Sequence, residues 1–358
     1  FKGEWEDKKL GDLCSEFKSG KNIKSAEILE DGKFPVFGGN GLRGFTHKYN
    51  YNGEYVIVGR QGALCGNVRL VEGKCYMTEH AIVIQGSEDN NTKFLLYLLD
   101  KLNLGQYSDQ SAQPGLAVNK LQKIKVTIPN LSEQNKIASF LFLLDQRIKT
   151  QIKIIEDLKV LQNTLIDYYY HHQRYDKNVS LFDCISQTSE RNKKNNAFPV
   201  LSVSNKYGFI QQIEQFENRK VASEDISNYK IVRKNDFAYN PARINVGSIA
   251  KLIKYSNGIV SPMYICFRAK DNFLPDFLEF YFKSKQFKNE VLKRLEGSVR
   301  QCLPFEGLCD IPVVFPPKEK QKDIITQLSA IQTKIEIETT IKELQLKQKQ
   351  HLLHQMLI

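Results

Sequence analysis

From residue 133 to residue 172 the chain runs forty residues without a glycine or proline. Along that stretch Ile137, Leu141, Leu144, Ile148, Ile155, Leu158 and Leu165 recur at three-, four- and seven-residue steps. That spacing predicts one long helix with a narrow apolar seam, of the kind that packs lengthwise on another helix. At ~1.5 Å per residue it is a rod of roughly 60 Å, long enough to act as a spacer. Its entry, Ile128-Pro129-Asn130-Leu131-Ser132-Glu133-Gln134, offers Asn130 or Ser132 as the cap of the first free N–H groups.

A second run of the same kind closes the chain. After Pro316-Pro317, the residues Ile324, Leu328, Ile331, Ile335, Ile341, Leu344 and Leu352 mark its seam. Ile137, Leu141, Leu144 and Ile148 sit 187 positions before Ile324, Leu328, Ile331 and Ile335, whereas Ile155 and Leu158 sit 186 before Ile341 and Leu344. The expectation is a repeated helix whose seam slips by one residue near Glu338.

The flanking segments repeat in the same order. Phe34-Pro35-Val36 with Gly44-Phe45 is answered by Phe198-Pro199-Val200 with Gly208-Phe209. Glu54-Tyr55-Val56-Ile57 is answered by Asp236-Phe237-Ala238-Tyr239, and Ile82-Val83-Ile84 by Ile265-Cys266-Phe267. Phe94-Leu95 returns as Phe277-Leu278; Leu116, Leu121, Ile124 and Val126 return as Leu303, Leu308, Ile311 and Val313. Agreement of the flanks and the helices makes the chain two copies of one unit, each a mixed α/β globule followed by a long helix.

Composition narrows the function classes. No apolar span approaches the ~20 residues of a membrane helix. Because the sequence starts at Phe1, it does not allow a targeting segment to be judged. Seven cysteines, odd in number and without a C-x-x-C pair or nearby histidine cluster, point to reduced thiols in a cytoplasm and away from a zinc site. The formal charge of +11 is concentrated outside the helices: residues 133–172 carry five basic and five acidic groups, and residues 318–358 seven and five. Basic globules suit a polyanion, with nucleic acid first.

The catalytic motifs fail on context. Gly39-Asn40-Gly41-Leu42-Arg43-Gly44 matches G-x-G-x-x-G, but Phe45-Thr46-His47-Lys48 beyond it is not a helix start, so it is read as a surface loop. Ser19-Gly20-Lys21-Asn22 lacks the upstream glycine and the hydroxyl of a phosphate loop. Tyr239-Asn240-Pro241-Ala242 lacks the second proline and the aromatic of the amino-methyltransferase motif. No paired carboxylates, nucleophile with its base, or metal cluster stands out. What remains are polar loops in equivalent places. The first unit offers Arg43, Lys48, Arg60, Gln61, Asn67, Arg69, Gln110 and Gln113. The second offers Arg191, Lys193, Lys194, Asn205, Lys206, Arg219, Lys220, Asn240, Arg243, Asn245, Arg300 and Gln301. Arg, Asn and Gln can pair with guanine and adenine edges, whereas Lys mostly meets phosphate. Phe140, Phe142, Leu161, Tyr168, Tyr169 and Tyr170 exceed what a two-helix stripe needs, which suggests docking of partner subunits.

The segment Ser111-Ala112-Gln113-Pro114-Gly115-Leu116, then Leu121 through Pro129 and Glu133-Gln134, resembles the specificity subunits of type I restriction–modification systems. The likeness extends over the whole chain. The second copy departs locally, with Arg300-Gln301-Cys302-Leu303 lacking the glycine and Lys320-Gln321 replacing Glu-Gln. The resemblance implies an α+β fold: two mixed α/β target-recognition domains (1–130 and 174–316) and two long antiparallel spacer helices (131–173 and 317–358), related by an internal pseudo-twofold repeat. It also implies double-stranded DNA with a bipartite target, two docked modification subunits and, in the full complex, restriction subunits. The chain itself would hold no cofactor, with S-adenosylmethionine, ATP and Mg2+ bound by those partners. Two other readings stay open from the residues alone: a DNA-modifying enzyme with an unrecognised site, and a scaffold bridging protein partners.

Overall fold

The computed structural model describes residues 4–62, 64–108, 115–171, 179–194, 196–212, 225–297 and 301–357. It comprises two compact units, residues 1–153 with 340–358, and residues 154–339. The first long helix spans Leu131–His171 and the second Lys318–Met356, so each starts in one unit and ends in the other. Asn130 is the cap, its side-chain oxygen accepting the Glu133 N–H at 3.0 Å.

The first unit is built on a six-stranded sheet in the order Cys14–Ser19, Ala81–Gly86, Tyr51–Gly59, Val68–Met77, Phe34–Gly38, Gly41–Thr46. All neighbours are antiparallel except Phe34–Gly38 with Val68–Met77, which is parallel. The helix Thr92–Lys101 buries Phe94, Leu95, Leu98 and Leu99 in a core shared with Ile137, Ala138, Leu141, Leu353, Met356 and Leu357. In this unit the long helices run antiparallel: Asp145 meets Lys349 at 2.6 Å and accepts the Tyr97 hydroxyl at 2.8 Å.

The second unit repeats this wiring in two sheets. One has the order Ile185–Thr188, Ile265–Ala269, Phe237–Tyr239, Ile249–Lys251, and the other Gly208–Gln211, Val200–Ser204, Asn257–Val260, Lys230–Arg233. The parallel pair recurs between Val200–Ser204 and Asn257–Val260. Here too the long helices are antiparallel, with Gln162 donating to Gln332 at 3.1 Å. Asp145 and Gln332 are 187 positions apart, as are Gln162 and Lys349, so a salt bridge in one unit and an amide pair in the other occupy equivalent places.

Three details of the expected repeat need correction. The seam does not slip. A continuous helix keeps its phase, so the 187-residue offset persists to Ile166 and Leu353, both buried. The seam positions in the slipped region are polar: Gln345 is buried while Leu344 is 60% exposed. Phe237 answers Val56 rather than Tyr55, because Phe237 pairs with Phe267 as Val56 pairs with Ile84. A one-residue shift turns every side chain to the opposite face, and Phe237 and Val56 are both fully buried. Gly208 answers the turn glycine Gly41 rather than Gly44, since each makes the closing pair of its hairpin, with Ser204 and with Gly38.

One repeated contact ties each globule to its helix. Gln134 and Gln321, also 187 apart, are each 1% exposed. Gln134 donates to the Pro129 carbonyl at 2.9 Å and accepts the Asn91 N–H at 3.0 Å; Gln321 donates to the Pro316 carbonyl at 3.0 Å and accepts the Leu274 N–H at 3.0 Å. The amide has both a donor and an acceptor, which a carboxylate or a lysine could not supply together.

Candidate nucleic-acid interface

In the first unit the glycine run is a tight hairpin turn between Phe34–Gly38 and Gly41–Thr46. Gly41 has φ +102°, and a Cβ on Gly39 would stand 2.7 Å from the His80 carbonyl oxygen, so the turn lies directly on the segment before Ala81–Gly86. Around it the Arg43 side chain lies over Gly38 and the Arg69 guanidinium over Gly41. Arg60 donates its backbone N–H to His80 at 3.0 Å and its carbonyl accepts the Leu116 N–H at 2.9 Å. Gln61 is next in the chain, its Oε1 3.1 Å from His80 Nδ1. Asn67 closes the adjoining turn, its carbonyl accepting the Gly59 N–H. Among the described residues no carboxylate lies within salt-bridge distance of Arg43, Arg60 or Arg69. Three uncompensated guanidinium groups around one turn make an anion-seeking surface with planar donors. Lys48 is not gathered there. It stands beyond the other end of Gly41–Thr46, paired with Glu27, whose hydrogen bond raises its pKa. Gln110 and Gln113 lie outside the described residues.

In the second unit two turns converge. Ser204 Oγ accepts the Lys206 and Tyr207 N–H groups and shapes the turn that exposes Asn205 and Lys206. Gly247 has φ +87°, and a Cβ built there would stand 3.9 Å from the Asn205 Cβ, so the turn carrying Arg243 and Asn245 packs beside that of Asn205. Between them opens a cavity of about 810 Å³, also lined by Lys251, Lys254, Lys283 and Lys288. Asn240 points inward: it is buried, its Oδ1 accepting the Ala242 N–H at 3.1 Å and its N–H donating to Ser248. Asn240 and Pro241 occupy the places of Gly59 and Arg60, because the Pro241 carbonyl accepts the Leu303 N–H as Arg60 accepts that of Leu116. Arg243, exposed two residues on, is therefore the cation nearest in sequence to the Arg60 position. Arg191 is engaged with Asn228 at 3.2 Å, and Lys193, Lys194 and Gln301 are exposed apart from the paired turns. Arg219, Lys220 and Arg300 lie outside the described residues. His80, Tyr207, Lys254, Lys283 and Lys288 were not legible as site residues, since each is brought in by folding and none belongs to a motif.

On the long helices, Phe140, Leu161 and Tyr168 are exposed, and Phe140 borders a cavity of about 360 Å³ with Leu352, Gln355 and Met356. Phe142 is half-buried under the Lys93 ammonium, 4.5 Å from its ring centre, and Tyr169 donates to Gln327. Tyr170 belongs to its own unit's core, donating to the Phe277 carbonyl at 2.6 Å. All seven thiols are free, and burial raises those of Cys14, Cys184 and Cys266 to about 12 and that of Cys75 to about 11. Among the described residues no His, Cys, Asp or Glu cluster could hold a metal ion, and no helix is long and apolar enough to cross a membrane.

Two units with the same wiring thus each present cations and amides on paired turns. Residues 2–159 and 183–347 match the type I restriction modification DNA specificity domain, and the chain belongs to that family. It is 41% identical over 142 residues to the type I restriction enzyme EcoprrI specificity subunit of Escherichia coli, covering 38% of this chain and 35% of that one. It is 26% identical over 316 residues to the putative type I restriction enzyme MjaX specificity subunit of Methanocaldococcus jannaschii, covering 78% and 71%. The match to the E. coli relative thus spans about a third of that protein's length. In fold, the chain is similar to the crystal structure of a type I restriction–modification S subunit from M. genitalium, with a TM-score of 0.68, 15% identity, and coverage of 99% of this chain and 96% of that one.

Proposed function

We propose that this chain is the DNA sequence-specificity subunit of a type I restriction–modification complex, each unit reading one half of a bipartite duplex target. The observation that carries this reading is the pairing of turns in both halves of a repeated fold, with Arg43, Arg60 and Arg69, none of them held by a carboxylate, on one and Asn205, Lys206, Arg243 and Asn245 on the other. Arg and Asn at these turns meet base edges, while Lys206, Lys193, Lys194, Lys254 and Lys288 meet phosphate. Residues 1–130 and 174–316 act as the target-recognition domains, and 131–173 and 317–358 as the spacers. The exposed Phe140, Leu161 and Tyr168, with Phe142 and Tyr169, supply the docking surface for two modification subunits; restriction subunits complete the assembly. The chain performs no chemistry itself, and S-adenosylmethionine, ATP and Mg2+ are held by those partners. Its buried, proton-retaining thiols suit a reducing cytoplasm.

Methylation mapping in cells that express this chain with its modification subunit tests the reading: a two-part motif with an undefined gap supports it, and methyl transfer by the purified chain alone refutes it. The same assay tests the spacers. Matched seven-residue insertions after Thr150 and after Ile337 add ~10.5 Å to each helix while nearly preserving its phase. That length corresponds to about three base-pair steps. Because those steps also rotate the second half-site by about a third of a turn, a gap longer by one to three pairs is expected, with both half-sites unchanged. An unaltered gap would remove the helices as the ruler.

A further inference from the structure

We propose that His80 is a positioning residue that sets the base preference at Gln61, holding the amide oxygen so that the amide hydrogens face an acceptor-bearing base edge, that of guanine or thymine. The inference rests on the first unit reading a DNA half-site. A free glutamine can turn its amide over and offer either end, and as a two-point reader it takes adenine through N6 and N7. Gln61 is not free. Its Oε1 lies 3.1 Å from His80 Nδ1, and the other ring nitrogen of His80 lies 3.2 Å from the Glu79 carboxylate. The backbone of His80 is held as well, its carbonyl taking the Arg60 N–H at 3.0 Å and closing over Gly39.

With the ring doubly protonated, Nε2–H meets the Glu79 carboxylate and Nδ1–H is donated to Oε1; in that form one end of the amide is occupied and the NH2 group is left for DNA. In the major groove guanine O6 and N7 and thymine O4 accept, whereas adenine N6 and cytosine N4 donate. Arg43, Arg60 and Arg69 around the same turn lean the same way, because guanidinium groups also favour the two acceptors of guanine. The second unit has no counterpart: Ala242 follows Pro241 where Gln61 follows Arg60.

The test is selection of a randomised duplex library by the complex of this chain with its modification subunit. His80→Leu should widen one position of the first unit's half-site to admit adenine, lowering the preference there about tenfold or more, with the other half-site unchanged. His80→Asn, which can still donate to Gln61, should restore the preference, and Gln61→Ala should abolish it at that same position. If Gln61→Ala alters the position while His80→Leu does not, His80 does not position it and the inference falls. If neither Gln61→Ala nor joint replacement of Arg43, Arg60 and Arg69 alters that half-site, the reading of the first unit as a DNA reader falls with it.

Discussion

Tyr51–Gly59 and Val68–Met77 form one long hairpin in the first unit, paired without interruption from Tyr51 opposite Cys75 to Val58 opposite Val68. In the second unit the equivalent hairpin is cut in two: Lys230–Arg233 pairs with Asn257–Val260, and Phe237–Tyr239 with Ile249–Lys251. At the cut, Asn235 adopts a left-handed φ of +71°, and the Asp236 carboxylate accepts the Arg233 N–H and the Arg268 guanidinium, both at 3.0 Å. A short polar side chain tolerates that conformation; at the equivalent place of the first unit Gly53, Glu54 and Tyr55 stay in the ladder, opposite Gly73, Glu72 and Val71. Six strands in one sheet and four plus four in two sheets are thus the same connectivity with and without a local break. The lesson is that order of pairing is more durable than continuity of strands.

The two units also differ in how the short helix is fastened to the sheet. In the first, Lys93 on the helix reaches Glu54 at 2.6 Å and Glu72 at 3.1 Å on the hairpin. In the second the polarity is reversed: Asp276 and Glu279 on the helix hold Lys251 on the sheet, the latter at 2.8 Å. Lys251 is 3% exposed; burial opposes its charge, yet the two carboxylates raise its pKa above the ordinary value. For Glu279, burial acts to raise the pKa, but Lys283 and Lys251 outweigh it and hold the carboxyl below its usual range.

The comparison breaks most completely at the proposed DNA surface. Replacing Arg43, Arg60 and Arg69 together by Ala should erase preference in one half-site and leave the other intact, a loss of hundredfold or more if at least two bidentate contacts at ~1–3 kcal/mol each are removed. Replacing Arg243 and Lys206 should weaken only the opposite half, by less, since lysine contributes mainly to phosphate. Duplex selection on the assembled complex reads both, and any variant that altered both halves would end the division of labour. A smaller but symmetric effect is expected at the two buried glutamines. Gln134→Leu and Gln321→Leu each strand at least an N–H and a carbonyl, costing roughly 2–6 kcal/mol in chemical denaturation, at about 1–3 per unsatisfied group. Markedly unequal losses would show that the repeated latch bears unequal strain.

Smaller again are the fasteners. Lys251→Met should cost roughly 1–3 kcal/mol, less than a fully buried pair because Asp276 reaches water; Lys93→Met, at a more solvated cluster, should cost about 1 kcal/mol or less. The least effect comes from acid. A carboxyl whose folded pKa lies below its unfolded value of ~4.3 stabilises the fold above that value, and the stabilisation is lost as pH falls through the folded pKa. The Lys93 hydrogen bond lowers Glu72, and the net shift of Glu279 is also downward, so both fasteners should weaken only below about pH 4. A loss beginning above pH 5 in thermal melts would assign it to other groups.

The amino-acid sequence by itself determined the two long helices, the repeat that relates them and the order of elements in each unit. Uninterrupted 3.6-residue periodicity and recurring Phe-Pro-Val, Phe-Leu and Leu-Ile-Val sets are local signals that need no partner to be read. It also located Arg60, Asn205, Lys206, Arg243 and Asn245 in loops that the fold brings to paired turns, whereas Arg43 and Arg69, expected in loops, lie in the strands Gly41–Thr46 and Val68–Met77. Tertiary structure decided what depends on register and facing. Phe237 aligns with Val56 rather than Tyr55 because a ladder of backbone bonds, not residue similarity, sets strand phase. Gln345 takes the seam position in place of Leu344 because the helix keeps its turn through a stretch where apolar residues drift off the face. His80 reaches Gln61, nineteen positions earlier, because Tyr51–Gly59 pairs with Ala81–Gly86 and the Arg60 N–H continues that ladder to the His80 carbonyl.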